Sequence, residues 1–246
     1  MIVESLLDSV EAKLEKRTVK RAVLGLGYTG VELDDGSCGL AATLRWEAPG
    51  CCSLVEGAGE LDGMSALELA REAGSVRVLR SSLGLATLNA VINNSGDSNT
   101  VSPLEALDPG SGNSVGMVGY FGPLIEKIRG KADEFYVFER RPSDEEFVYP
   151  DWAADQLLPE CDKVIISGTT LINKTMEGLL KRCRGEVGIL GPSTPLSPVL
   201  ADYGVDYLFG SVVVDPERVL KIIAQGGGTR TFGDGVRKIN LELTRE

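Results

Sequence analysis

The chain has 246 residues, of which 43% are hydrophobic and 25% charged; that supports one large core or two modest ones, and typical domain sizes favour two. With 25 Lys+Arg against 36 Asp+Glu the formal net charge is -11, a field that argues against nucleic acid and anionic membrane surfaces as partners. Histidine is absent, which removes the commonest metal ligand and general base, and every Ser–His or Cys–His nucleophile pair with them.

Ile2, Val3, Leu6, Leu7, Val10 and Leu14 recur at three- and four-residue steps and predict an amphipathic helix at the start. This opening lacks the layout of a signal peptide, and no later stretch has the length of a membrane span, so a cytosolic location is expected. From Val19 to Leu44 the runs become strand-like, and Asp35-Gly36 marks a hairpin turn. MSALELAREAG predicts a short helix and SVRVLRSSLGLATLNAVINN a longer one, in which Gly84, Ala86 and Ala90 permit close packing. Residues 96–114 are rich in Gly, Ser, Asn and Pro and read as a linker.

Beyond it, apolar strands alternate with helices: VGMVGYF, EFYVFE, KVIISG, VGILG and YLFGSVVV, with VRKINLEL as a closing edge strand. That alternation demands a mostly parallel sheet with right-handed crossovers. Pro123, Pro198 and Pro216 suit first helical turns, Asn173 and Asp215 N-caps, Gly130 and Gly204 helix stops. The reading is α/β: a small α+β domain over 1–95, the linker over 96–114, and a Rossmann-like, mostly parallel sheet with helices on both faces over 115–246.

Ligands of such sheets bind outside the carboxyl ends of the strands. The residues placed there are Tyr120 to Gly122, Glu139 to Arg141, Gly168 to Thr170, and Pro192 to Thr194. Glu139 lies 20 residues beyond Gly119, near the spacing of a ribose-binding acid, although Gly116, Gly119 and Gly122 do not form the dinucleotide glycine pattern. Thr169, Thr170, Asn173 and Thr175 serve either a ligand or helix capping. The stiff loop GPSTPLSP holds Ser193 and Thr194 in a cleft or forms a plain turn. In the first domain Tyr28 and Thr29 occupy a glycine-flanked bend, and Asn89 and Asn93 lie one helical turn apart. These four face an interdomain cleft, or else serve a bulge and a helix end. Five cysteines without any CxxC predict reduced thiols. The vicinal Cys51 and Cys52 offer soft-metal ligation if a turn and other ligands such as Cys38, Glu56 or Glu60 join them, and otherwise are ordinary thiols.

The stretches SSLGLATLNAVINN, LLPECDKVIISGTTLINKT and GILGPSTPLSPVL, in this order, resemble the proposed heavy-metal chelatase family, formerly a domain of unknown function. The resemblance implies an enolase-N-terminal-like domain followed by a Rossmann-like domain, with a site between them. Carried onto matching positions it implies roles for Thr29, Asn89, Glu139, Pro142, Asn173, Thr175, Thr194 and Pro195. Without histidine, a metal would be held by carboxylates, hydroxyls, amides or cysteine, which suits a hard ion or a ready-made chelate. The leading expectation is a metal ion or small metal complex in the interdomain cleft, anchored by Glu139, with Thr29, Asn173 and Thr194 as polar contacts. Two alternatives stay open. One is an enzyme using Glu139 on a nucleotide-like or small anionic substrate. The other is a non-catalytic protein-binding module, with a homodimer among its forms.

Overall fold

The structure, a computed structural model, describes residues 1–48, 50, 54–94, 102–110 and 112–244. The amphipathic opening forms α1 (Ile2–Asp8) and α2 (Glu11–Leu14), whose Ile2, Leu6 and Leu14 are fully buried. A three-stranded antiparallel meander follows, β1 (Val19–Leu24), β2 (Tyr28–Leu33) and β3 (Cys38–Ala42). Gly36, at φ +85, makes the β2–β3 turn, and Asp35 Oδ1 fixes it by accepting from the Ser37 amide at 3.0 Å. α3 (Ala66–Arg71) and the long α4 (Val78–Ile92) complete this unit. α4 is buried around most of its circumference, because β3 lies under one side and the 72–74 turn over another. Contact with β3 is backbone to backbone: a Cβ on Gly39 would stand 2.1 Å from the Ala86 carbonyl oxygen.

The second sheet has seven strands in the order β10-β9-β8-β7-β4-β5-β6. They are β4 (Ser114–Val118), β5 (Glu134–Glu139), β6 (Val148–Pro150), β7 (Lys163–Ser167), β8 (Glu186–Leu190), β9 (Tyr207–Val213) and β10 (Val236–Glu242). All pairings are parallel except β10 on β9, so the last strand is the expected edge strand, and the structure shows it running antiparallel. One face packs Met117, Val137 and Ile165 with Leu107 of α5 (Pro103–Leu107) and Ile125 and Ile128 of α6 (Gly122–Ile128). The other face packs Phe138, Val164 and Ile166 with residues of α7 (Ala154–Leu157), α8 (Met176–Leu180) and the first unit.

α5 lies inside the stretch read as linker. Its signal is Ser-Pro-Leu-Glu: Ser102 Oγ accepts from the Glu105 amide and Glu105 Oε2 accepts from the Ser102 amide at 2.8 Å, with Pro103 in the first turn. Asp215 caps α9 (Pro216–Ala224) by accepting from the Arg218 amide. Asn173 makes a local turn with Thr175 instead of capping α8. α9 and α10 (Thr229–Phe232) close the fold between β9 and β10. α9 lies on the small sheet, packing Leu220 and Ile223 against Cys38 and Leu40. The glycines of GLGYTG admit it, since a Cβ on Gly25 would meet the Ile223 carbonyl oxygen at 2.2 Å and one on Gly30 would meet Leu220 Cδ2 at 2.4 Å. The small sheet is therefore clamped between α4 of its own unit and α9 of the next. No helix among the described residues is long and apolar enough to cross a membrane.

Candidate functional site

The chain winds outward from β4 in two directions, through β5 and β6 on one side and β7, β8 and β9 on the other. The switch point therefore falls between β4 and β7, where an open α/β sheet offers its crevice. Gly119 turns the chain there at φ +102, and a Cβ on it would stand 3.0 Å from Ser167 Cβ, so only glycine lets the two strand ends approach so closely. Ser167 and Thr169 share a hydroxyl bond of 2.8 Å on the β7 side. Thr170 is buried, its hydroxyl donating to the Ser167 carbonyl at 2.7 Å.

Glu139 ends β5 beside this turn. Its Oε1 accepts from the Tyr120 amide at 2.6 Å, so the acid that the spacing singled out holds the glycine turn in place. No other hydrogen bond to its carboxylate occurs among the described residues, and Oε2 keeps its lone pairs for another partner. The Tyr120 side chain donates to Glu145 Oε2 at 3.2 Å, which also accepts from Ser143 at 2.9 Å. The phenol of Tyr120 lies above its ordinary range, through desolvation first and then the charge of Glu145.

The seam between the two sheets forms a second cluster. Thr29, Asn89, Asn93, Ser193 and Thr194 are all buried. Ser193 Oγ accepts from the Ala42 amide at 2.8 Å; Asn89 Nδ2 donates to the carbonyls of Leu40 at 2.8 Å and Ser193 at 3.3 Å. Asn93 spans the seam with three bonds, donating to Thr194 O and Ser211 O and accepting from the Leu196 amide. Thr29 pairs with Thr43 at 2.8 Å. A third cluster is the turn in which Asn173 Oδ1 accepts from Thr175 Oγ1 at 2.8 Å. Between those two residues Lys174 adopts φ +66 and sends its ammonium across the seam to Ala73 O and Ser81 Oγ, and back to Leu171 O and Ile172 O. Burial pulls its pKa down to about 8.

The predicted residues thus assemble as a solvent-reached pair, Tyr120 with Glu139, a buried polar seam around Asn89, Asn93 and Ser193, and the loop after β7 with Thr170, Asn173 and Thr175. Two hollows lie elsewhere: one of about 520 Å³ beside Lys20, Glu32 and Asp215, another of about 240 Å³ beside Glu105, Tyr207 and Glu242. At the seam's outer end Arg140, one residue past Glu139, pairs with Glu47 of the first unit at 2.6 Å and with Asp151 at 3.7 Å. Lys174 and the tryptophans beside Glu47 and Asp151 carry no local sequence pattern that marks them. Arg140 lies in the stretch Glu139 to Arg141 that the strand-end rule names.

Cys51 and Cys52 lie outside the described residues. Cys38 is buried, and burial pushes its thiol up to about 12; burial does the same to Cys161 and Cys183. At that pKa the thiolate needed for soft-metal binding is scarce near neutral pH. We expect iodoacetamide at pH 8 to alkylate these three in the native protein at least about a hundredfold more slowly than in denaturant, read by peptide mapping. Comparable rates in both states would refute the burial account. Among the described residues no three His, Cys, Asp or Glu side chains converge into a group able to hold a metal ion.

Residues 102–242 match the DUF364 family model and residues 7–92 the DUF4213 model, both described as "Putative heavy-metal chelation". The chain belongs to the DUF364 family. It is 29% identical over 186 residues, covering 72% of this chain and 71% of the relative, to an uncharacterised protein of Methanocaldococcus jannaschii. The crystal structure of a DUF364 protein of unknown function from Desulfitobacterium hafniense superposes with a TM-score of 0.81 at 26% identity, covering 97% of this chain and 99% of that one. A DUF364 protein from Pyrococcus horikoshii gives 0.85 at 25% identity, covering 99% and 100%. DUF364 membership supports a metal-binding role in general. The α/β fold with its small antiparallel sheet and seven-stranded, mostly parallel sheet superposes over nearly its whole length on both crystal structures.

Proposed function

We propose that this protein binds a metal ion carried in a small complex, at the outer end of the seam where the carboxyl ends of β4, β5 and β6 meet the first unit. Glu139 is the anchor. The observation that carries this reading is its carboxylate, fixed on one oxygen by the Tyr120 amide and open on the other, so its charge is positioned without being neutralised. A bare ion is the poorer match, because one carboxylate oxygen supplies too few of the four to eight donors that such ions take. An ion that brings its own ligand needs only an anionic anchor and a shape. Asn89, Ser193 and Thr194 then act by holding the two units in register, Thr29 by its bond to Thr43 within the first unit, and Thr170, Asn173 and Thr175 by shaping the loop after β7.

Calorimetric titration with metal complexes tests the reading. Wild type should bind a cationic complex, and Glu139→Gln, which keeps the Tyr120 contact while removing the charge, should bind it about tenfold or more weakly. Equal binding by the two proteins would reject Glu139 as the anchor. A nucleotide-like ligand is the second reading, favoured by the strand order and by an acid at the end of β5 beside the glycine turn. Thermal stabilisation by adenine nucleotides, with none by metal complexes, would establish it in place of the first.

A further inference from the structure

The chain contains two tryptophans, and both stand in solvent, Trp46 at 55% and Trp152 at 67% exposure. Indoles normally bury apolar area, so exposed ones mark a contact surface. One side chain ties together the two segments that carry them. Arg140 pairs with Glu47 and Asp151, and Trp46 and Trp152 are the immediate sequence neighbours of those two acids. Tyr120, 47% exposed, sits on the adjoining strand end with its amide on Glu139, and Glu139 is itself in register with Pro150, next to Asp151.

We propose that this corner receives a flat conjugated ring system, so that the metal arrives as a planar heteroaromatic chelate stacked on Trp46 and Trp152. The proposal rests on the metal-complex reading above. Charge supports it: Arg140 sets one positive charge against the carboxylates of Glu47 and Asp151, and Glu139 adds a third carboxylate whose bonding partner is a neutral amide, so these groups are net acidic and a cationic chelate satisfies them. The negative faces of indole rings attract the same ligand. Stacking also tolerates variation in the ring, because any flat π-system presents a face.

The test uses tryptophan fluorescence of the full chain titrated with zinc(II)–1,10-phenanthroline, zinc(II)–nitrilotriacetate and metal-free phenanthroline. The phenanthroline complex should quench saturably at concentrations at least about tenfold below the nitrilotriacetate complex. Trp46→Leu and Trp152→Leu should each weaken it about tenfold; both sites are exposed, and circular dichroism confirms that the variants fold. An equal response to the two zinc complexes, or unchanged affinity in both variants, would overturn the proposal. So would self-association on sizing that Trp152→Ser abolishes, which would assign the aromatics to a protein interface. Metal-free phenanthroline binding as tightly as its zinc complex would also overturn the proposal, because the ring would then be held without the metal or its charge.

Discussion

Gly84→Ala should destabilise the protein by about 3 kcal/mol or more, although alanine is the better helix former by about 1 kcal/mol. Gly84 lies within α4, and a Cβ there would stand 1.9 Å from the Ala73 amide nitrogen and 2.5 Å from the Glu72 carbonyl carbon. Both are backbone atoms, so no rotamer change relieves the clash and the 72–74 turn must move. Moving it stretches the bonds that Ala73 O receives from Ser81 and from Lys174 across the seam. Strain in one helix would therefore reach the contact between the units. At roughly 2–4 °C per kcal/mol for a chain of this size, the melting temperature should fall by about 6–12 °C. A rise in melting temperature would show that α4 has room and that its packing is misread.

Asn93→Ala is the second large effect. The side chain joins α4 to the loop after β8 and to β9 through two donated bonds and one accepted bond. Truncation leaves two carbonyls and one amide unpaired in a buried seam, and each such group costs about 1–3 kcal/mol. A loss of about 3–5 kcal/mol is expected by urea denaturation. Asn89→Ala should cost less, near 2 kcal/mol, because Asn89 makes two bonds and its Oδ1 already lacks a partner. Asn93→Asp separates bonding from volume: it keeps the size and the acceptor, loses both donors and buries a charge, so it should be no more stable than the alanine variant. If Asn93→Ala proved as mild as a surface substitution, the seam would not be the fixed joint described here.

Much of the fold was legible because its elements announce themselves locally. The opening helix follows from Ile2, Leu6 and Leu14, the β2–β3 turn from Asp35-Gly36, and the parallel sheet from alternating apolar strands. α5 was missed because the Gly and Ser around it outweighed the capping signal of Ser102 and Glu105. Strand order was not legible, since it depends on which neighbour each strand finds and not on any one segment. The glycines of GLGYTG read as a bend; their deeper reason, the approach of α9 from far along the chain, is a tertiary fact. The same applies to the site. Glu139 was found by strand-end position and spacing, but its bond to the Tyr120 amide and the gathering of Glu47 and Asp151 on Arg140 join residues that sequence separation hides. Polar residues in loops, such as Ser193 and Thr194, carry the same signature whether they bind a ligand or a neighbouring backbone.

The most direct test of metal-complex binding at Glu139 is elemental analysis by plasma mass spectrometry of reduced protein, equilibrated with a panel of metal complexes and passed through gel filtration. Wild type, Glu139→Gln and a Cys51→Ser/Cys52→Ser variant are compared. Near-stoichiometric metal in wild type and the cysteine variant, with about a tenth or less in Glu139→Gln, is the predicted result. No retained metal in wild type, or a loss confined to the cysteine variant, would contradict it.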